Sequence, residues 1–462
     1  MNENKTSPTA GGSSKALYFI GIGGIGMSAL ARYFHTQGWR VSGYDKTVTP
    51  LTKELASMGI AIHYEENPGV IPRDVELVVY TPAIPASHAE LLFYQQNGYR
   101  VVKRSDVLQV ITENSFNVCI AGTHGKTTIT TMTAHLLRDT GYGCNAFLGG
   151  ISVNYGTNFW SDERNVCVIE ADEYDRSFLK LSPDIAIISS MDPDHLDIYG
   201  TAEAMEQAFI DFSGRLKPNG LLIHKYGLKR GQELQGDRLL TYSLQDSNAD
   251  VYARNIRLQD GSYEYDVVIG DRQLENVKLN MGGLHNIENS LAAIAAASSL
   301  EIDGEKIRAA VDSFRGVKRR FQYIIKNEKL VFIDDYAHHP EELRALITGT
   351  KSLFSDRPCT IVFQPHLYSR TRDFADGFAE VLDLADEIIL LPVYPARELP
   401  VKGVNSELLT NKMKNNNKRV MTKEELKEWI ADHFIKRNHS VLITAGAGDI
   451  DALVEPLKQI LS

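Results

Sequence analysis

Short apolar runs alternate with longer amphipathic ones along almost the whole chain, a rhythm that predicts β-strands alternating with α-helices. The first series holds the strand candidates Ala16–Ile20, WRVSGYD, ELVVYTP and YRVVKR, with helical stretches between them that include Met27–Thr36. The pattern restarts near Asn114 with strand NVCIA, a helix through Arg138, and strands NVCVIEA and DIAIISS. From Asp250 to Lys278 apolar and polar residues alternate in short runs, which predicts a small β insertion or flap; an alanine-rich helix, Ile287 to Ser299, follows. A third series opens around Gly316–Arg320. It reads LVFIDD, a helix from Pro340, CTIVF, a helix from Arg372, EIILLPV, a helix near Glu424–Phe434, SVLIT and a helix from Asp449. Strands regularly separated by helices imply parallel, doubly wound sheets and the α/β class. Three such units are expected, at 15–113, 114–316 and 317–462, behind a polar tail at 1–14.

Composition narrows the classes. A chain of 462 residues exceeds one ordinary core, and 43% hydrophobic with 23% charged residues is ordinary for a globular protein. A formal charge of -10 gives no support to nucleic acid or an acidic membrane as a bulk partner. Cys119, Cys144, Cys167 and Cys359 are scattered without a CxxC pair, so reduced thiols are expected. The opening MNENKTSPTAGGSS has no apolar core of a signal peptide, and no stretch approaches the ~20 apolar residues of a membrane span. A cytoplasmic protein, monomeric or weakly dimeric, is expected.

Two glycine loops carry the chemistry. Gly122, Thr123, His124, Gly125, Lys126, Thr127 and Thr128 lie between an apolar strand and a helix, where a phosphate-cradling loop belongs. Lys126 can neutralise terminal phosphates and the Thr127 hydroxyl can ligate Mg²⁺. The Gly122-to-Lys126 spacing is shorter than in GxxxxGK[ST], and a plain glycine turn is the competing reading. Gly21, Gly23, Gly24 and Gly26 match GxGxxG after the first strand, with Asp45 at the end of the next. That loop suits a pyrophosphate, whether of NAD or of a UDP-sugar, or simple tight packing.

Further candidates sit at strand ends, where ligands gather in doubly wound sheets. Glu170, in VIEADEYD, is a candidate Mg²⁺ ligand, with Asp172 and Asp175 read as solvated acids; His195 follows the next strand and can supplement Glu170 and Thr127. Asn286 is a possible helix cap, and Asn289 lies one turn on, placed for an adenine edge. The cations of Val317–Phe321 are placed to close over a terminal phosphate, with an exposed basic linker as the competing reading. Asp335, Tyr336 and His338 end one strand, and Arg370, in FQPHLYSRT, follows another with a fork suited to an amino-acid carboxylate.

Taken in order, GTHGKTT, the Glu170 and His195 segments, HNxxN at His285–Asn289, Arg320 and DYAHHP at Asp335–Pro340 resemble the Mur ligases from about Ala16 to Leu461. IGIGGIGMSALA and FQPHLYSRT resemble the alanine-adding branch of that family, although Leu367 stands where many of its members carry arginine. The resemblance implies a three-domain architecture: a Rossmann-like UDP-substrate domain, a P-loop ATPase domain and a Rossmann-like amino-acid domain. It implies ATP and Mg²⁺, with UDP-N-acetylmuramate and L-alanine as substrates coupled through an acyl phosphate. Lys126, Glu170 and His195 would be catalytic, with Thr127, Glu170 and His195 on Mg²⁺. Asn289, Arg320 and Asp335 would meet adenine, γ-phosphate and ribose, and Tyr336, His338 and Arg370 would border the alanine. The rivals are a sibling ligase that joins a preformed peptide, an NAD-dependent oxidoreductase that leaves GTHGKTT unexplained, and a nucleotide sensor without turnover.

Overall fold

The apolar run Ala16–Ile20 forms the centre of a five-stranded parallel sheet, ordered Ala61–His63, Arg40–Tyr44, Ala16–Ile20, Leu77–Tyr80 and Val101–Lys103. Alternate side chains leave it in opposite directions. Leu17 and Phe19 pack on the helix Ile25–Thr36, while Tyr18 and Ile20 pack with Leu91 and Tyr94 of the helix Ala89–Gln96. Both faces are covered, so the strand needs no polar side. The computed structural model describes residues 15–193, 196–259, 261–396 and 398–462.

The second sheet has ten strands. Its parallel centre runs Arg238–Ser243, Leu221–Lys225, Ile185–Ile188, Phe116–Ala121, Val166–Glu170 and Asn145–Phe147. The alternating segment from Asp250 is not a separate flap. Val251–Gln259 pairs in parallel with Arg238–Ser243, and Ser262–Ile269 and Arg272–Leu279 continue the same sheet as an antiparallel meander. The reason is the period-two pattern itself. Val251, Ala253, Tyr263, Tyr265, Val267 and Val277 form one apolar face, which the helices Leu284–Ser299 and Gly304–Ser313 cover.

The third sheet orders Gln322–Lys326, Leu330–Asp335, Ser440–Ala445, Cys359–Phe363, Glu387–Leu390 and Lys418–Val420, parallel except for the first edge strand. The helix expected from Arg372 is two pieces, Tyr368–Asp373 and Ala375–Leu382. The first starts directly after Leu367, whose φ of 70° takes the chain out of the strand-end loop. All four cysteines are free and buried, and burial pushes their thiols up. Among the described residues no helix is long and apolar enough to cross a membrane.

The three units are not joined alike. Leu17, Phe19 and Leu30 share one apolar cluster with Cys119, Phe147 and Ile169, so the first two sheets are bonded through a common core. Asn158 adds hydrogen bonds to the Ile25 carbonyl at 2.5 Å and to Ser28 Oγ at 3.0 Å. The third unit has its own cores and meets the middle unit through a polar contact, Tyr323 OH donating to the Gly261 carbonyl at 2.8 Å, and through residues 316–321, where Gly316, Arg319 and Phe321 have φ of 90°, 61° and 48°. Lys318 N donates to the Ile151 carbonyl at 2.8 Å on the middle unit. Arg319 turns the other way, donating to the Gly446 carbonyl and facing Asp334 and Asp451 at 3.6 Å each.

Asp334 is buried and accepts a 2.6 Å hydrogen bond from Thr444 Oγ1. Burial outweighs that bond and Arg319, and pushes its carboxyl from 3.8 up to about 7. A carboxyl raised on folding contributes stability that is complete below its unfolded value and lost as pH rises through its folded one. Asp334→Asn is therefore expected to raise Tm, relative to the parent, more at pH 8 than at pH 5. An equal difference in melts at the two pH values would show that Asp334 does not titrate in this window.

Candidate functional site

The second glycine loop is built by a buried strand, Phe116–Ala121, feeding the helix Lys126–Asp139. Gly122 (φ 134°) and Gly125 (φ 81°) take left-handed conformations, and a side chain at Gly122 would strike Ser189 Oγ. The loop is pinned to the next strand end. Thr123 Oγ1 and Ser190 Oγ are 2.9 Å apart, His124 N donates to Ser190 Oγ at 2.8 Å, and Ser189 Oγ donates to the His124 carbonyl at 2.5 Å. The result is a helix N-terminus whose positive potential faces a cleft.

Glu170 ends the neighbouring strand with its carboxylate facing that helix start. Thr127 Oγ1 donates to Glu170 Oε1 at 3.0 Å, and Gly149 N donates to Oε2 at 3.1 Å. Burial raises the Glu170 carboxyl, against the opposing pull of Lys126. A hydroxyl and a desolvated carboxylate side by side are hard oxygen donors, which fits Mg²⁺. Among the described residues no three His, Cys, Asp or Glu side chains cluster as a metal cage; His195 lies outside the described residues. A side chain at Gly149 would run into the Glu170 carboxylate. Gly149→Ala is thus expected to lower turnover roughly 10²-fold through a misplaced carboxylate, read as phosphate release from ATP. Unchanged turnover would remove Glu170 from the site.

A cleft of ≈ 470 Å³ brings residues 123–128, Glu170, Asn289, Arg320 and Asp335 together from two sheets. Asn286 is not the helix cap, a place taken by Gly283. Its amide donates to the Gly282 carbonyl at 2.6 Å and accepts from Asn289 Nδ2 at 3.1 Å. Asn289 Oδ1 faces Gly125, which puts this residue at the loop end of the cleft. Asp335 accepts from Phe321 N at 2.6 Å and Ala337 N at 2.7 Å, and burial raises its carboxyl. Of the three cations at 318–320, Arg320 lines the cleft, 5.5 Å from the Tyr336 ring. Arg319 serves the third unit instead, because its left-handed backbone reverses the side chain's direction.

Tyr336, His338 and Arg370 come together on the third sheet. The Tyr336 and His338 rings lie 5.2 Å apart, and His338 Nδ1 is 2.9 Å from the Tyr336 carbonyl. A carbonyl partner requires the proton on Nδ1 and leaves Nε2 as an acceptor. Burial lowers the pKa of His338 and of His366. His366 Nδ1 is 3.5 Å from Arg370, and its ring stacks on Tyr394 at 5.7 Å. His366 was visible in FQPHLYSRT without a role; Tyr394 carries no local signal.

In the first unit Gly21 N and Ile22 N donate to the Tyr44 carbonyl at 2.8 and 2.9 Å. Asp45 accepts from Gly23 N at 2.8 Å and Thr47 N at 3.0 Å, so its carboxylate braces the glycine loop. Gly24 opens the helix, and at Gly26 a side chain would run into Arg104. Arg104 pairs with Asp172 at 3.5 Å, a partner that the acidic-loop reading of Asp172 did not foresee. Asp175 closes a local turn by accepting from Ser177 N at 3.1 Å. Glu90, buried with Tyr18 OH at 2.6 Å and His63 Nε2 at 2.8 Å, was not singled out in the sequence either.

Comparison with known proteins agrees along the chain. "Mur ligase family, catalytic domain" matches residues 16–115, "Mur ligase middle domain" 120–297 and "Mur ligase, glutamate ligase domain" 319–448. A UDP-N-acetylmuramate–L-alanine ligase of Phocaeicola vulgatus is 48% identical, covering 97% of this chain and 98% of its own. The protein of that name from Cytophaga hutchinsonii is 46% identical over 96% of both. Among solved structures, UDP-N-acetylmuramate–alanine ligase from Thermotoga maritima has a TM-score of 0.81 at 28% identity, over 96% of this chain and 98% of that one. A murein peptide ligase from Psychrobacter arcticus shares the fold, with a TM-score of 0.66 at 22% identity over 97% and 99%. With all three units matched in order and relatives this similar over nearly their whole length, the chain belongs to the Mur ligase family.

Proposed function

We propose that this chain joins L-alanine to the lactyl carboxylate of UDP-N-acetylmuramate at the expense of ATP. The observation that carries this is the convergence of Lys126, Glu170, Arg320 and Asp335 on one cleft between the middle and third units. The full-length likeness to ligases of that name supports the choice of substrates.

In this reading residues 15–113 hold the UDP-sugar, with Gly21, Gly23, Gly24 and Gly26 at its pyrophosphate and Asp45 holding the loop or a ribose. Residues 114–316 bind ATP and 317–462 bind the amino acid. Lys126 and the amides of 125–128 hold the terminal phosphates, with Asn289 and Asp335 framing the rest of the nucleotide. Thr127, Glu170 and His195 would hold Mg²⁺, which when bound neutralises phosphate charge. Lys126 and Arg320 screen two anions as a lactyl oxygen attacks the γ-phosphorus and ADP leaves. Arg370 orients the alanine carboxylate beside Tyr336. His338 Nε2, neutral and unprotonated, takes the ammonium proton, freeing the amine to attack the acyl carbon; the tetrahedral intermediate then expels phosphate. Closure of the third unit about 316–321 excludes water from the acyl phosphate. Both nucleotide substrates place the reaction in the cytoplasm, with the chain acting as a monomer or weak homodimer.

The test is phosphate release from ATP with Mg²⁺ and UDP-N-acetylmuramate, with single amino acids supplied in turn. Release that needs both the UDP-sugar and L-alanine is expected. Release with a short peptide and with no single amino acid would transfer the chain to the peptide-joining ligases, and silence with every acceptor would end the ligase reading.

A further inference from the structure

Two glutamates three residues apart do different work. Glu170 faces the cleft, bonded to Thr127 and Gly149. Glu173 lies outside the cleft, behind the P-loop, with its side chain 1% exposed. Lys126 Nζ donates to Glu173 Oε1 at 2.6 Å and to the Gly122 carbonyl at 2.6 Å. An ammonium has three N–H donors, so these two bonds leave one. The glutamate is itself held, because its backbone carbonyl accepts from Tyr199 OH at 2.6 Å and from Arg176 N at 2.9 Å, and Arg176 stacks on Tyr199 at 4.9 Å. Its other carboxylate oxygen, Oε2, is buried without a partner among the described residues. Lys126 is therefore the main compensation for burying this charge, and the pair is mutually dependent.

We propose that Glu173 is a positioning residue for the P-loop lysine, holding its stem from behind so that the third N–H is presented to a nucleotide phosphate. The proposal rests on the nucleotide-binding reading of 122–128. A lysine free to rotate would lose that freedom each time it met a phosphate; here the rotamer is already chosen before ATP arrives. The carboxylate stands away from the cleft, so it restrains the lysine without occupying the phosphate's place.

The experiment is calorimetric titration of the full-length chain with a non-hydrolysable ATP analogue and Mg²⁺, and separately with UDP-N-acetylmuramate. Glu173→Gln is expected to weaken the nucleotide about tenfold and to leave the UDP-sugar unchanged. Glu173→Asp, which keeps the charge, should recover most of that affinity; if the glutamine variant fails to fold, Tyr199→Phe, which releases the Glu173 carbonyl, is expected to weaken the nucleotide and leave the UDP-sugar unchanged. In a Lys126→Ala background Glu173→Gln should add nothing further, since its effect passes through the lysine. Nucleotide affinity unchanged or tightened in both single variants would overturn the proposal, as would additive losses in the double variant or a parallel loss of UDP-sugar binding. A parent chain that binds no nucleotide would overturn the P-loop reading and this one with it; a binding parent with unaffected variants would overturn this one alone.

Discussion

Lys126→Ala is expected to abolish ATP-dependent phosphate release, by roughly 10³-fold or more, while the protein stays folded at neutral pH. The lysine opens the helix Lys126–Asp139, where alanine is a good helix former, so the helix itself loses nothing. What is lost is the cation placed at the loop, and the other groups lining that end of the cleft offer no second ammonium. Burial already raises the Glu173 carboxyl, and loss of the lysine that opposes this pushes it further up. A carboxyl raised on folding loses its contribution as pH climbs, so the Tm deficit of the variant should widen from pH 6 to pH 8. Phosphate release within tenfold of the parent would refute the phosphate role of this loop.

Arg320→Ala is expected to lower kcat roughly 10³-fold, with a much smaller change in the KM for ATP. Arg320 is exposed on the cleft wall, so its loss creates no cavity and Tm should hold. It belongs to the segment that joins the middle and third units, and in the proposed closure its charge would reach a bound phosphate most closely. An interaction made mainly in the transition state shows in kcat and not in ground-state binding. Arg320→Lys should recover little, because a point charge on a flexible stem does not replace a planar fork. Retention of kcat with a raised KM would make Arg320 a ground-state anchor instead.

The strand–turn–helix setting of the glycine loop was legible because every requirement is local. An apolar strand, two glycines and a helix start are contiguous, so Gly122 to Thr128 could be assigned from residue types alone. The same holds for DYAHHP, where the helix Pro340–Leu353 starts at its proline and Glu342 receives the amides of His338 and His339. Strand–helix alternation likewise predicted three α/β units. It could not show that the period-two segment from Asp250 extends a ten-stranded sheet, since alternation specifies a buried face and says nothing about which edge it joins.

The division of labour among neighbouring charges was not legible. Glu170, Asp172 and Glu173 share one short segment, yet the first faces Thr127, the second Arg104 and the third Lys126. Arg319 and Arg320 are adjacent, yet one is turned into the third unit and the other into the cleft. Glu90 finds Tyr18 across 72 positions, and His366 finds Tyr394 on the next loop. The strands, the setting of the glycine loop and the family could be read from consecutive residues, because local backbone geometry and periodic burial are written there. Which charge meets which came from the folded chain, because a side chain's direction beyond a strand end depends on one or two backbone angles and on partners brought from distant parts of the chain.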